Sequence, residues 1–218
     1  NPAGGFTTAE YQSLAQTFDT LVHPVDIENF GDPSDIDHNN KIVLFYTVEV
    51  NKLTPLGSPN GFIAGFFFAR DLFPRQGNSN LSACPSSNQT EMMYLMVSDP
   101  SGTINGNPRS KTFVKYRTTG TLAHEMQHLI NSSRRLYIND NTVYPERPWV
   151  EEGLAHSAEE LIFFKSSGLS AGQNLTAPIV QANQVRIDAF NEFQSENLAR
   201  IQGYLGSTNI NWPFKSGS

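Results

Sequence analysis

The chain of 218 residues carries 15 Lys and Arg against 21 Asp and Glu, and a net charge of -6 offers no general attraction to nucleic acid or to an anionic membrane surface. With 38% hydrophobic and 11% aromatic residues the composition is globular rather than disordered, and 16 Gly with 13 Pro imply many loops. The longest apolar runs are too short to insert into a bilayer, and the single cysteine, Cys84, excludes an intrachain disulfide. The length suits one domain of two subdomains. The chain opens on Asn1 rather than Met, as a processed or excised chain would, with any signal peptide out of view. Abundant Asn, Ser, Thr and Gly with few Lys suggests an exported bacterial protein, secreted or at the cell surface.

Taken in order, Thr7-Thr8-Ala9-Glu10 fits a capping box, and Tyr11, Leu14, Ala15, Phe18, Leu21 and Val22 recur at helical spacing, which predicts a first helix ending at Pro24. The turn-rich stretch from Asp32 to Lys41 leads into the continuous apolar run Ile42 to Val48, which reads as a buried strand. In that lead-in Asp35, Asp37 and Asn39 alternate as the first side chains of a calcium loop do, and Lys41 falls where such a loop gives a backbone carbonyl. Asn40 stands in place of the loop's Gly and Tyr46 in place of its bidentate glutamate, so a solvated Asx turn is the competing reading. Gly61 to Ala69 and Met92 to Val97 are the next predicted strands, completing a small mixed sheet around a polar loop from Pro74 to Gln89. A second loop, Ser98 to Ser110, is expected to lie outside the core, and Thr118 or Thr119 to cap the helix that follows.

That helix contains His124-Glu125-Met126-Gln127-His128. Histidines at i and i+4 lie about 40° apart around a helix, so both imidazoles can reach one metal ion. Glu125 then falls beside the metal, where a general base acting on water belongs. Two exposed histidines on an amphipathic helix would be the plainer account, but Leu122, Ala123, Met126, Leu129 and Ile130 bury much of this one, and buried histidines need partners. A catalytic zinc usually has a third protein ligand. The next predicted helix, opened by Pro148, places Glu152, His156 and Glu159 on one stripe with Val150, Leu154 and Leu161 opposite. Beyond Gly168, Ile179, Val180, Val185, Ile187, Phe190, Phe193, Leu198, Ile201 and Leu205 recur at spacings that suit further helices.

The segment Trp149-Val150-Glu151-Glu152-Gly153-Leu154-Ala155 resembles the Trp-x-Asn-Glu-Gly-x-Ala segment of the gluzincins, metallopeptidases whose third zinc ligand is a glutamate on a second helix. Within them the chain is similar to the hyicolysin-type family of bacterial secreted neutral metallopeptidases, through Asp35 to Ile42, Thr121 to Asn131 and Trp149 to Leu161. The resemblance implies an α+β, zincin-like fold: an N-terminal subdomain (1–133) with a small mixed sheet and the active-site helix, then a mostly helical subdomain (134–218) carrying the glutamate. It implies a zinc ion held by His124, His128 and Glu152, with Glu125 as general base and acid in peptide-bond hydrolysis. Protein or peptide is then the substrate, and the absence of a Gly-x-Met-x-Asn anchor favours an endopeptidase over an aminopeptidase. Glu151 stands where gluzincins commonly have Asn, and His156 where an acidic residue often orients the first histidine; Glu159 is the candidate for that orienting role. Tyr137, Tyr144 and His156 are candidates to stabilise the oxyanion, Tyr144 by its position between motif and glutamate, while His156 could equally face solvent. The rival expectation is a catalytically silent calcium- or zinc-binding adhesion or interaction module.

Overall fold

The computed structural model describes residues 1–58, 61–139 and 146–210. Its sheet has three short strands in the order β1-β3-β2. β1 (Val43–Tyr46) runs parallel to β3 (Met92–Leu95), and β2 (Gly65–Phe67) runs antiparallel to it. Only the central strand is buried on both faces, with Met92, Met93 and Leu95 nearly inaccessible. The apolar run at Ile42 to Val48 is therefore not the buried strand its composition suggests. It forms an edge strand of four residues whose alternate side chains Val43 and Phe45 are 37% and 46% exposed. Val48 already opens α3 (Val48–Lys52), capped by the Thr47 side chain, which accepts from Glu49 N–H. The predicted strand Gly61 to Ala69 likewise contracts to three residues, because Ala69 begins a 3-10 turn. At Gly65 the close approach of β3 demands glycine: a Cβ there would lie 2.6 Å from Tyr94 O and 2.8 Å from Leu95 Cδ2.

Helices surround this sheet. In α1 (Thr8–Thr17) the capping box forms as expected, Glu10 N–H donating to Thr7 Oγ1 and Thr7 N–H to Glu10 Oε2 at 2.7 Å. The helix does not stop at Pro24. A π-helical turn, Phe18–Val22, carries it into α2 (His23–Phe30), and Pro24 falls just after that turn.

The long α4 (Lys111–Ser133) starts about two turns before Thr118. Its cap is Ser110, whose hydroxyl accepts from Phe113 N–H at 3.1 Å. Thr118 and Thr119 are buried inside the helix, and Thr118 spends its hydroxyl on Val114 O. α4 packs along α5 (Pro148–Ser167) and across the sheet, so that Leu122, Ala123, Met126 and Ile130 meet Met93 and Leu95 on one side and Ala158, Ile162 and Phe163 on the other. Fully burying side chains of this size stabilises by roughly 1.5–3 kcal/mol each, which makes this contact the structural spine. α6 (Ala177–Val180), α7 (Gln184–Ala189) and α8 (Ser195–Gly206) complete the helical remainder, with Phe193 between the last two closing the core.

The loop from Ser98 to Ser110 is not peripheral. Ser98, Asp99, Asn107 and Arg109 are buried, and the polarity is tolerated because the backbones of Asp99 and Arg109 exchange two hydrogen bonds while Ser98 and Asp99 side chains take up neighbouring groups. In the preceding loop Ser87 and Leu81 are buried as well. The architecture is thus a mixed α/β arrangement, dominated by helices, with a small sheet. Among the described residues no helix is long and apolar enough to cross a membrane.

Candidate metal centre and cleft

α4 and α5 pack against each other, and the candidate ligands meet across that contact. His124 and His128 project from one face of α4 with ring centroids 4.8 Å apart, and both are shielded by the packing that buries Ala123, Met126 and Leu129 beside them. Glu152, on the first turns of α5, reaches across to them. One of its oxygens lies 3.3 Å from His124 Nε2 and the other 3.7 Å from His128 Nε2. One ligand atom from each of the three residues falls within 4.8 Å of the others. Both imidazoles thus turn Nε2 toward the same carboxylate, an assembly of two neutral-capable nitrogens and one anionic oxygen of the kind zinc takes.

The other ring nitrogens point at other glutamates of the same helix. His124 Nδ1 lies 2.7 Å from Glu159 Oε1, and His128 Nδ1 lies 3.6 Å from Glu151 Oε1, beyond hydrogen-bond reach. That nitrogen of His128 is buried without a hydrogen-bond partner. Glu159 also contacts His156 Nδ1 at 3.1 Å. Burial alone would raise the Glu159 carboxyl, but its bonds to the two histidines and their charge hold it down at about 2. Burial works against protonation of His124 too, yet the bond to Glu159 and the nearby carboxylates of Glu125, Glu159 and Glu152 raise its pKa. The bond to Glu159 fixes both the tautomer and the ring plane of His124.

Glu125 accepts a hydrogen bond from Phe67 N–H on β2 at 2.7 Å. Burial pushes its carboxyl above the ordinary range, against the opposing influence of His124, the Phe67 amide and His128. Beside it opens a cleft of about 270 Å³ walled by Gly65, Thr121, His124, Glu125, His156 and Glu159, with Arg117, Glu192, Glu196 and Arg200 at its polar side. His156 stands in that wall, its ring 4.8 Å from the ring of His124. A larger hollow of about 1120 Å³ between α1 and β1 holds none of the metal-capable clusters found among the described residues.

The remaining sequence candidates are placed differently. Tyr137 follows α4 and donates its hydroxyl to Leu72 O, which engages it in packing on the far end of the helix. Tyr144 lies outside the described residues. Asn39 turns its side-chain oxygen to Lys41 N–H at 2.6 Å, while its amide donates to Asp37, as in an Asx turn. The amide of Phe67 and the position of Glu151 beside His128 were not foreseen from sequence, since neither a backbone N–H nor the register of two packed helices leaves a trace in residue type.

No family model matches the chain. It is 29% identical over 160 residues to the neutral metalloprotease ShpI of Staphylococcus hyicus, an alignment covering 73% of this chain and 32% of that protein. The chain thus resembles a neutral zinc metallopeptidase, and it spans about a third of the length of the relative it matches.

Proposed function

We propose that the chain is a zinc-dependent peptidase of zincin-like fold in which His124, His128 and Glu152 hold the metal and Glu125 is the general base. The observation that carries this reading is the convergence of both Nε2 atoms on the Glu152 carboxylate, with Glu125 as the next residue along α4. The fit is supported by the 2.7 Å contact of His124 Nδ1 with Glu159, which gives that ring the tautomer whose lone pair lies on Nε2. A second trio, His124, His156 and Glu159, also brings one ligand atom from each residue within 4.8 Å of the others. It is the poorer site, because Glu159 already spends one oxygen on both rings at 2.7 and 3.1 Å.

When bound, zinc would supply Lewis-acid polarisation of a scissile carbonyl and make water a nucleophile near neutral pH. Glu125 takes the proton of the attacking water and delivers it to the departing amine. Its raised pKa brings it nearer to neutrality, which suits a group that must both accept and donate. The Phe67 amide keeps that carboxylate at the cleft wall, and Glu159 holds His124 in one orientation. His156, in the same wall, is the candidate donor to the developing oxyanion. We read residues 1–133 and 134–218 as two subdomains joined through the α4–α5 contact, with the metal between them. The similarity to a neutral metalloprotease supports protein or peptide as substrate; the endopeptidase reading rests on the lack of a Gly-x-Met-x-Asn anchor, and the secreted setting on composition.

The test is metal content by mass spectrometry together with hydrolysis of casein and of a quenched-peptide library, with and without 1,10-phenanthroline. One equivalent of zinc and chelator-sensitive cleavage are expected. Bound zinc with no cleavage of any library member would instead favour a silent binding module.

A further inference from the structure

Away from the zinc cluster, the segment before β1 and the residue before β3 bring three carboxylates together. Asp35, Asp37 and Glu91 each present an oxygen within 4.8 Å of the others. Asp35 and Asp37 sit on a loop held in shape by its own amides: Asn39 N–H donates to Asp35 Oδ1 at 3.0 Å and to Asp37 Oδ1 at 3.2 Å, and Asn40 N–H donates to Asp35 Oδ1. Glu91 is of another kind, with 1% of its surface exposed. Its Oε1 accepts from Ser34 Oγ and Ile36 N–H at 2.9 and 3.0 Å, but its Oε2 is buried with no hydrogen-bond partner.

An unsatisfied carboxylate oxygen in the interior is costly, and two further carboxylates beside it add repulsion. No Lys, Arg or His among the described residues forms an ion pair with any of the three. Oxygen is the only donor type the three side chains supply, which selects a hard cation over zinc or copper. The donors come from two separate segments with no symmetry imposed on them, which suits calcium's variable coordination better than the strict octahedron of magnesium. We propose that Asp35, Asp37 and Glu91 bind a calcium ion that pins the 32–41 segment to the start of the central strand. Glu91 takes the carboxylate role that the loop's own twelfth position, Tyr46, cannot fill. Because Ser34 N–H also bonds Ser133 Oγ at 3.1 Å, the ion braces the end of α4 as well.

The test uses the whole zinc-loaded chain, freed of calcium by dialysis. Titration calorimetry with calcium chloride should show one site, and millimolar calcium should raise Tm by about 5 °C or more over magnesium chloride at equal ionic strength. Glu91→Gln and Asp35→Asn should each weaken calcium binding at least tenfold; Asp35 lies on the partly exposed loop, so its variant retains the fold if the buried one does not. The proposal is overturned by the absence of calcium heat and of a calcium-specific Tm shift, by magnesium matching calcium, or by Asp35→Asn binding calcium as tightly as the parent chain. None of these readouts depends on peptide hydrolysis.

Discussion

At Glu125 and its neighbours, adjacent residues are asked to do different work. Glu125 follows the first proposed ligand along α4 and accepts from Phe67 N–H, so Glu125→Gln keeps the size of the side chain while removing the proposed base. General-base assistance is worth roughly 10² to 10⁴ in rate, so peptide turnover should fall at least a hundredfold with zinc content unchanged. A variant retaining parental turnover would remove Glu125 from the mechanism. On α5 the distinction is finer. Glu152 faces both Nε2 atoms, whereas Glu151 stands 3.6 Å behind His128 Nδ1. Glu152→Ala should therefore empty the site. Glu151→Ala should leave one zinc bound with affinity close to the parent's, because Glu151 makes no hydrogen bond to His128. Competition with a chromogenic chelator measures both, and if Glu151→Ala empties the site while Glu152→Ala does not, the ligand is the preceding residue.

Elements show what was legible in the sequence and what was not. The metal helix, the glutamate helix and the first helix are readable because their signals are local: i and i+4 histidines, Pro148 at a helix start, and a capping box at Thr7 and Glu10. The candidate site follows from the first two, since one face of each helix can be drawn from spacing alone. The start of α4 is not readable, because Ser110 and Thr118 have equal capping chemistry and only tertiary burial decides that Thr118 is interior. The edge character of β1 and the brevity of β2 depend on which strand finds partners on both sides, a non-local fact. So does Glu91, distant in sequence from the loop it completes. The fit of β2 against β3 carries its own prediction. Gly65→Ala places a methyl carbon 2.6 Å from Tyr94 O and 3.1 Å from Thr121 Cγ2, so β2 must shift, taking Phe67 N–H off Glu125. A destabilisation of about 1–3 kcal/mol is expected, seen as a lowered Tm, together with a fall in kcat larger than any change in zinc content. Gly61→Ala, whose Cβ would meet nothing within 4 Å, is the matched control and should change neither.

Across the whole molecule one buried carboxylate sets a pH dependence unconnected with the site. Asp26, on α2, is 0% exposed, and neither of its oxygens has a hydrogen-bond partner. Burial pushes its carboxyl up to about 8. In the unfolded chain it returns to about 3.9. Below that value both states hold the proton and the full stability is present. As pH rises toward 8, the unfolded state gives up the proton while the folded state keeps it, so stability is lost, by up to about 1.4 kcal/mol per pH unit. Above 8 both states are ionised and the loss levels off. Asp26→Asn cannot titrate, so urea midpoints of the two zinc-loaded proteins should diverge steadily between pH 5 and pH 8, with the variant gaining on the parent chain. Any acid-driven loss of zinc is common to both and cancels in the difference. Parallel curves across that window would mean that Asp26 is ionised and partnered in the folded chain.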